Sequence, residues 1–76
     1  MPRYFFNLVM GKVVHYDRKG SELEGAEAAR QFALHSARDL TTRRLTHKAL
    51  PSECSIEVAD ESGHVLFTVP FSEVRL

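Results

Sequence analysis

The sequence predicts an α+β domain of order ββαββ, a four-stranded antiparallel sheet from two hairpins with one long helix packed on one face. Three observations predict it. RYFFNLV and KVVHY are aromatic and β-branched runs separated at Gly11, which is a hairpin signal. SIEVA and HVLFTVPF form a second such pair around ESGH. Between the pairs lies ELEGAEAARQFALHSARDLTTRRL, rich in the good helix formers Ala, Leu, Arg, Glu and Gln. The chain has 76 residues, the length of one domain. A domain this small buries only ~60% of the surface its unfolded chain exposes.

In a hairpin, loop length decides which residues share a face. For the first hairpin an odd-length loop groups Tyr4, Phe6, Leu8, Val14 and Tyr16, whereas an even one replaces Tyr16 by His15. The apolar grouping predicts a three-residue turn ending at Gly11 in the left-handed conformation. For the helix, Glu22, Glu24 and Glu27 crowd the start and Arg43, Arg44 and Lys48 crowd the end. The helix dipole favours that arrangement. Ser21 or the acids after it open the segment, Gly25 places the regular helix near itself, and Pro51 forbids continuation. Ala26, Ala29, Ala33, Ala37 and Leu40 recur at spacings of three and four, a narrow buried stripe flanked by Phe32 and Leu34.

In the second hairpin a two-residue Ser62-Gly63 turn groups Ile56 and Val58 with Phe67 and Val69. The first and last runs are the most apolar and are expected as central neighbours. Pro70 sits awkwardly there, because proline cannot donate to a ladder. The opposite face then carries Phe5, Asn7, Val9, Val13, His15, Glu57, Ala59, Leu66 and Thr68. That set is too apolar for a plain solvent face and marks an interface. The expected contact residues are Phe5, Val9, Val13 and Leu66.

Composition narrows the function classes. The chain is 43% hydrophobic and 26% charged, with ten basic residues against ten acidic. A neutral balance argues against a surface built for nucleic acid or an anionic membrane. The charge is uneven along the chain. Residues 41–52 carry Arg43, Arg44 and Lys48 and no acid, and residues 53–76 carry five acids against Arg75. Such segregation suits self-association. The lone Cys54 makes no intrachain disulfide and points to a reducing compartment. No run approaches the ~20 apolar residues of a membrane span. The first residues lack a signal-peptide pattern, so a cytoplasmic protein is expected.

MPRYFFNL, DRKGSELEGAEAARQFALHSARDL and GHVLFTVPFSEV together resemble a family of short, mostly alphaproteobacterial proteins described as a domain of unknown function. Its members begin MPRYFF, pass through an acidic-Gly-x-Glu-Leu turn into an Ala-rich helix, and end in a VLxxVPF-like strand. The resemblance implies a bacterial cytoplasmic protein and supplies no catalytic residue. Here RKG follows Asp17, where relatives often have acids.

No chemistry-bearing constellation emerges. His15, His35, His47 and His64 give no paired metal-ligand spacing. Cys54 beside a strand start reads as a small buried hydrophobe. No serine lies in a GxSxG elbow, and the four glycines form no phosphate loop. The expectation is therefore no enzyme, no cofactor and no metal, with a homodimer, or a contact with another protein, through the open face. One alternative is nucleic-acid binding through Arg43, Arg44 and Lys48 with Phe5 as a stacking platform. Glu57 stands against it, where such a platform has Lys or Arg. A second alternative follows from a loose resemblance to the sheet-plus-helix half of small antitoxins, which implies a regulatory partner of another protein.

Overall fold

The fold was analysed on a computed structural model that describes residues 1–42 and 53–74. Strands β1 (Arg3–Met10), β2 (Val13–His15) and β3 (Ser21–Glu22) come first. Helix α1 (Ala26–Thr42) follows, then β4 (Cys54–Ala59), β5 (Val65–Pro70) and a 3-10 turn at Phe71–Glu73. All strand pairs are antiparallel, and the sheet is open with order β2-β1-β4-β5. The two-residue β3 adds a fifth strand to the expected four, pairing Arg3 with Glu22 and Tyr4 with Ser21. The class is α+β, with one α-helix and five antiparallel strands among the described residues.

The helix buries its stripe as the spacing predicts. Ala29, Ala33 and Ala37 are fully buried, and Leu34 and Leu40 flank them. Ala26, at the first turn, is exposed. The helix starts beside Gly25, whose carbonyl accepts the Ala29 N–H at 3.0 Å. Only Glu27 of the three expected acids lies in the first turn. Alanine lets the helix axis lie close to the sheet, and the sheet supplies the volume: Tyr4, Ile56, Val58, Val69 and Phe71 fill the core, with Cys54 among them. Phe32 stays 40% exposed but stacks on Phe6, ring centroids 4.5 Å apart.

Both hairpin turns differ from expectation. The first turn holds two residues, Gly11 and Lys12, because Met10 pairs with Val13 and Leu8 with His15. Gly11 is left-handed, with φ 60°, and its N–H donates to the Glu53 carbonyl at 2.9 Å, which carries the β1–β4 ladder into the turn. The even loop moves Val13 and His15 to the helix side, opposite Met10 and Leu8, and puts Val14 with Val9 on the other face. Tyr16 lies beyond the strand and is exposed. Apolarity misled here, since β2 sits at the sheet margin and gains little burial on either face.

The second turn holds three residues, 61–63. The Asp60 N–H donates to the His64 carbonyl at 2.9 Å, and Gly63 takes φ 86°. One extra residue would flip every side chain of β5. A bulge cancels it: Ala59 pairs with Val65 and Val58 with Phe67, leaving Leu66 as the extra residue. The expected grouping of Ile56, Val58, Phe67 and Val69 therefore survives a wrong turn length. The neighbour of β1 is β4, and β5 is at the margin. Central pairing of the first and last runs is thus corrected. An edge position also accommodates Pro70, which has no N–H to place.

Ala33 faces the sheet with no accessible surface. Ala33→Leu is expected to lower unfolding free energy by about 1–3 kcal/mol through overpacking, whereas Glu27→Ala at an exposed helix position should change it little. Urea midpoints of the two variants check this.

Candidate interaction face

The face away from the helix is built from alternate residues of three long strands. Phe5, Asn7 and Val9 come from β1, with Ser55, Glu57 and Ala59 opposite them on β4. Thr68 stands beyond Glu57 on β5, and Val14 beside Val9 on β2. Phe5, Val9 and Val14 are half-buried, and Thr68 is exposed.

Part of this face has a cover that periodicity did not reveal. After His15 the chain leaves the β1 edge and returns to it at Ser21, so the β1 groups between are without a strand partner. The Asp17 carboxylate takes the place of one. Its Oδ2 accepts the Phe6 N–H at 3.2 Å, and its Oδ1 accepts the N–H groups of Lys19 and Gly20 at 3.1 and 3.0 Å. The Asp17 N–H in turn donates to Asn7 Oδ1 at 3.0 Å. That bond accounts for a polar side chain only 8% exposed in the middle of an apolar strand. Arg3 closes the far end: it donates through Nη1 to the Lys19 carbonyl at 2.8 Å and pairs through Nη2 with Glu22 at 2.9 Å. The Leu23 N–H reaches the Pro2 carbonyl at 3.1 Å.

Gly20 lets this loop lie flat. It takes φ 70°, and a Cβ there would come within 2.9 Å of Phe5 Cε2, Arg3 Cγ and the Tyr4 carbonyl oxygen. Phe5 is therefore partly covered by its own chain. A shallow cavity of roughly 280 Å³ remains between this loop and the β4–β5 turn, lined by Phe5, Asn7, Tyr16, Asp17, Asp60 and Glu61 among others. The carboxylates there have structural partners. Asp60 Oδ1 accepts the Ser62 and His64 N–H groups at 2.9 and 3.0 Å. Glu61 accepts the Arg3 N–H at 3.4 Å.

Of the four expected contact residues, Phe5 and Val9 lie on this face. Val13 stands opposite Met10 on the helix side, and Leu66 is the exposed bulge residue near its rim. Arg43, Arg44 and Lys48 lie outside the described residues. His47 lies outside the described residues too, and among the described ones the remaining chemistry-bearing side chains do not converge. His15 and His35 are exposed on separate elements, and His64 approaches Asp60 Oδ2 at 3.6 Å. Cys54 is 2% exposed, and burial, with the Glu53 charge second, pushes its thiol pKa up and away from the reactive thiolate. Among the described residues no three His, Cys, Asp or Glu side chains gather as a metal site would require. Among the same residues no helix is long and apolar enough to cross a membrane.

The loop lock and the two ends of the chain bear on the family. Residues 3–72 match the model of a domain of unknown function, DUF6894. The chain belongs to this family. No curated protein and no solved structure matches it. The resemblance rests on MPRYFFNL, DRKGSELEGAEAARQFALHSARDL and GHVLFTVPFSEV, and the first two of these stretches contain Arg3, Phe5, Asp17, Gly20 and Glu22, which hold the loop on the sheet. The signal for the lock was present: an Asp followed three residues later by a Gly is a side-chain-capped turn, and Asn7 interrupts an apolar strand.

Asp17→Ala leaves three N–H groups without an acceptor and is expected to cost about 1–3 kcal/mol. Amide exchange should identify the cause, with Phe6 losing protection while the Ile56 and Val58 amides keep theirs relative to global stability. Asp60 gives a pH prediction. The His64 N–H, foremost, and the Ser62 N–H hold its carboxyl below the ordinary 3.8. A lowered folded pKa means the contribution is fully present above that ordinary value and is lost as pH falls through the lowered one. Amide exchange at Ser62 and His64, corrected for intrinsic rate, should speed up only in that acid range, and in Asp60→Asn it should show no such step.

Proposed function

We propose that this protein is a non-catalytic interaction module of the bacterial cytoplasm that forms a homodimer through the open sheet face. One observation carries the reading: α1 lies on one face only, and the other presents Val9 and Val14 half-buried beside Ser55, with Glu57 and Thr68 on the strands beyond. Strand edges are the rival surface, and they are poorly suited to pairing. At the β5 edge the Leu66 bulge breaks the row of backbone groups and Pro70 withholds a donor. At the β1 edge β2, β3 and the Asp17 carboxylate occupy the groups. The small core supports the same reading, since a second copy adds burial that a 76-residue chain lacks.

Phe5 is a poor probe of the dimer, because its ring also supports Gly20. Val9 and Val14 are better. In a two-fold interface one substitution acts twice. Val9→Glu is therefore expected to yield monomers in sedimentation with the helical circular dichroism retained, and Val13→Glu, exposed on the helix side of the marginal β2, is expected to leave the dimer intact. A wild-type chain that stays monomeric at high micromolar concentration would overturn the reading, as would loss of the dimer in Val13→Glu alone.

A further inference from the structure

A groove of roughly 450 Å³ runs between α1 and the chain that follows β5. One wall is the stripe Gln31, Leu34, His35 and Arg38, and the other is Glu73 with Val74. Helical spacing makes the first wall, since residues three and four apart share a face. Both walls are tied to the core. Leu34 and Val74 pack against it, Phe71 is buried in it, and the Val74 N–H donates to the Phe71 carbonyl at 3.0 Å. The groove therefore has an apolar floor and a polar rim. Charge on that rim is unbalanced. Glu73, the one acid lining it among the described residues, meets Arg30 at 3.7 Å. Arg38 and His35 are exposed, and among the described residues neither has an ion pair. Gln31 donates to Glu27 at 3.1 Å, which holds it at the rim.

We propose that this groove binds a small organic anion, one carboxylate carried on an aliphatic or aromatic body. Its size and lining suit a small molecule, because such sites are clefts of about 300–1,000 Å³ whose apolar lining holds a few polar groups that fix orientation. The body lies on Leu34 and Val74, which removes apolar surface from water. The carboxylate faces Arg38, whose planar guanidinium offers paired N–H donors in the geometry a carboxylate accepts. His35, three residues earlier on the same helix face, adds an imidazole N–H. Charge complementarity selects the sign of the ligand. Arg30 and Glu73 offset each other, so a cation meets Arg38 with no free acid to hold it, whereas an anion meets an unpaired guanidinium. The same pair joins α1 to the turn and fixes the width of the groove. The site lies beside α1, across the sheet from the proposed dimer face, and does not depend on that dimer.

The test is a titration of the full chain with hexanoate at neutral pH, followed by the NMR shifts of its backbone amides. Hexanamide and acetate are the controls: the first keeps the body without the charge, the second the charge without the body. Hexanoate is expected to give saturable shifts at Leu34, His35, Arg38 and Val74 with a dissociation constant on the order of 1 mM. Each control should bind on the order of tenfold more weakly. Arg38→Gln, at an exposed position, should weaken hexanoate by about the same factor while leaving amide shifts away from the groove in place, and Arg38→Lys should fall between the two. Hexanoate shifts that do not saturate, or that centre on Val9 and Val14, would overturn the site. Equal binding of hexanamide, or hexanoate binding unchanged in Arg38→Gln, would overturn the role of charge and the proposal with it.

Discussion

The structure depends on one substitution of side chain for main chain: the Asp17 carboxylate receives the Phe6 N–H where no strand is present to do so. A buried strand edge with unmet donors is costly, because each unpaired group forfeits its hydration without return. The three-residue β2 and the two-residue β3 leave a gap between them along β1. Asp17 fills the gap and folds the chain back across the sheet at the same time. Its second oxygen holds Lys19 and Gly20, its own N–H satisfies Asn7, and the path is then set toward Ser21 and the helix start. Arg3 and Glu22 secure the end of that path.

Geometry on the other face follows from size. A helix whose inner residues are Ala29, Ala33 and Ala37 sits close to its sheet, so the volume must come from Val58, Val69, Ile56 and Tyr4 beneath it. Those residues face the helix only if both hairpins hold register. The β4–β5 pair shows how strictly this is kept. Its turn is one residue longer than the alternation allows, and the Leu66 bulge removes the error before Phe67 and Val69 reach the core. In β2, which the helix barely covers, nothing enforces the apolar choice. There the two-residue turn decides, and Val13 takes the helix side without becoming buried.

The same features shape what the molecule can offer a partner. Titratable groups are either dispersed or occupied with the backbone, and Cys54 is sealed in the core. Edges are interrupted by a bulge, a proline and a carboxylate. Among the described residues, the half of the open face near Phe5 carries its own loop, and the half near Val9 and Val14 does not. The half of the sheet around Val9 and Val14 is the surface on which the proposed dimer rests.

By itself the sequence determined the elements and the buried sets: the alanine stripe, the alternation in RYFFNLV, SIEVA and VLFTV, and family membership through its packing motifs. These are local and periodic, so they can be read without knowing what touches what. Phe5 and Val9 on the open face were legible for the same reason. Tertiary structure alone decided the strand order, the turn lengths, the face of Val13 and the cover over Phe5. Each of those depends on a contact between residues distant in the chain. Gly11 is fixed by Glu53, Phe6 by Asp17, and Gly20 by the Phe5 ring beneath it. A side-chain carboxylate that replaces a strand leaves no period in the sequence, and so the feature that ties the fold together was the one periodicity could not show.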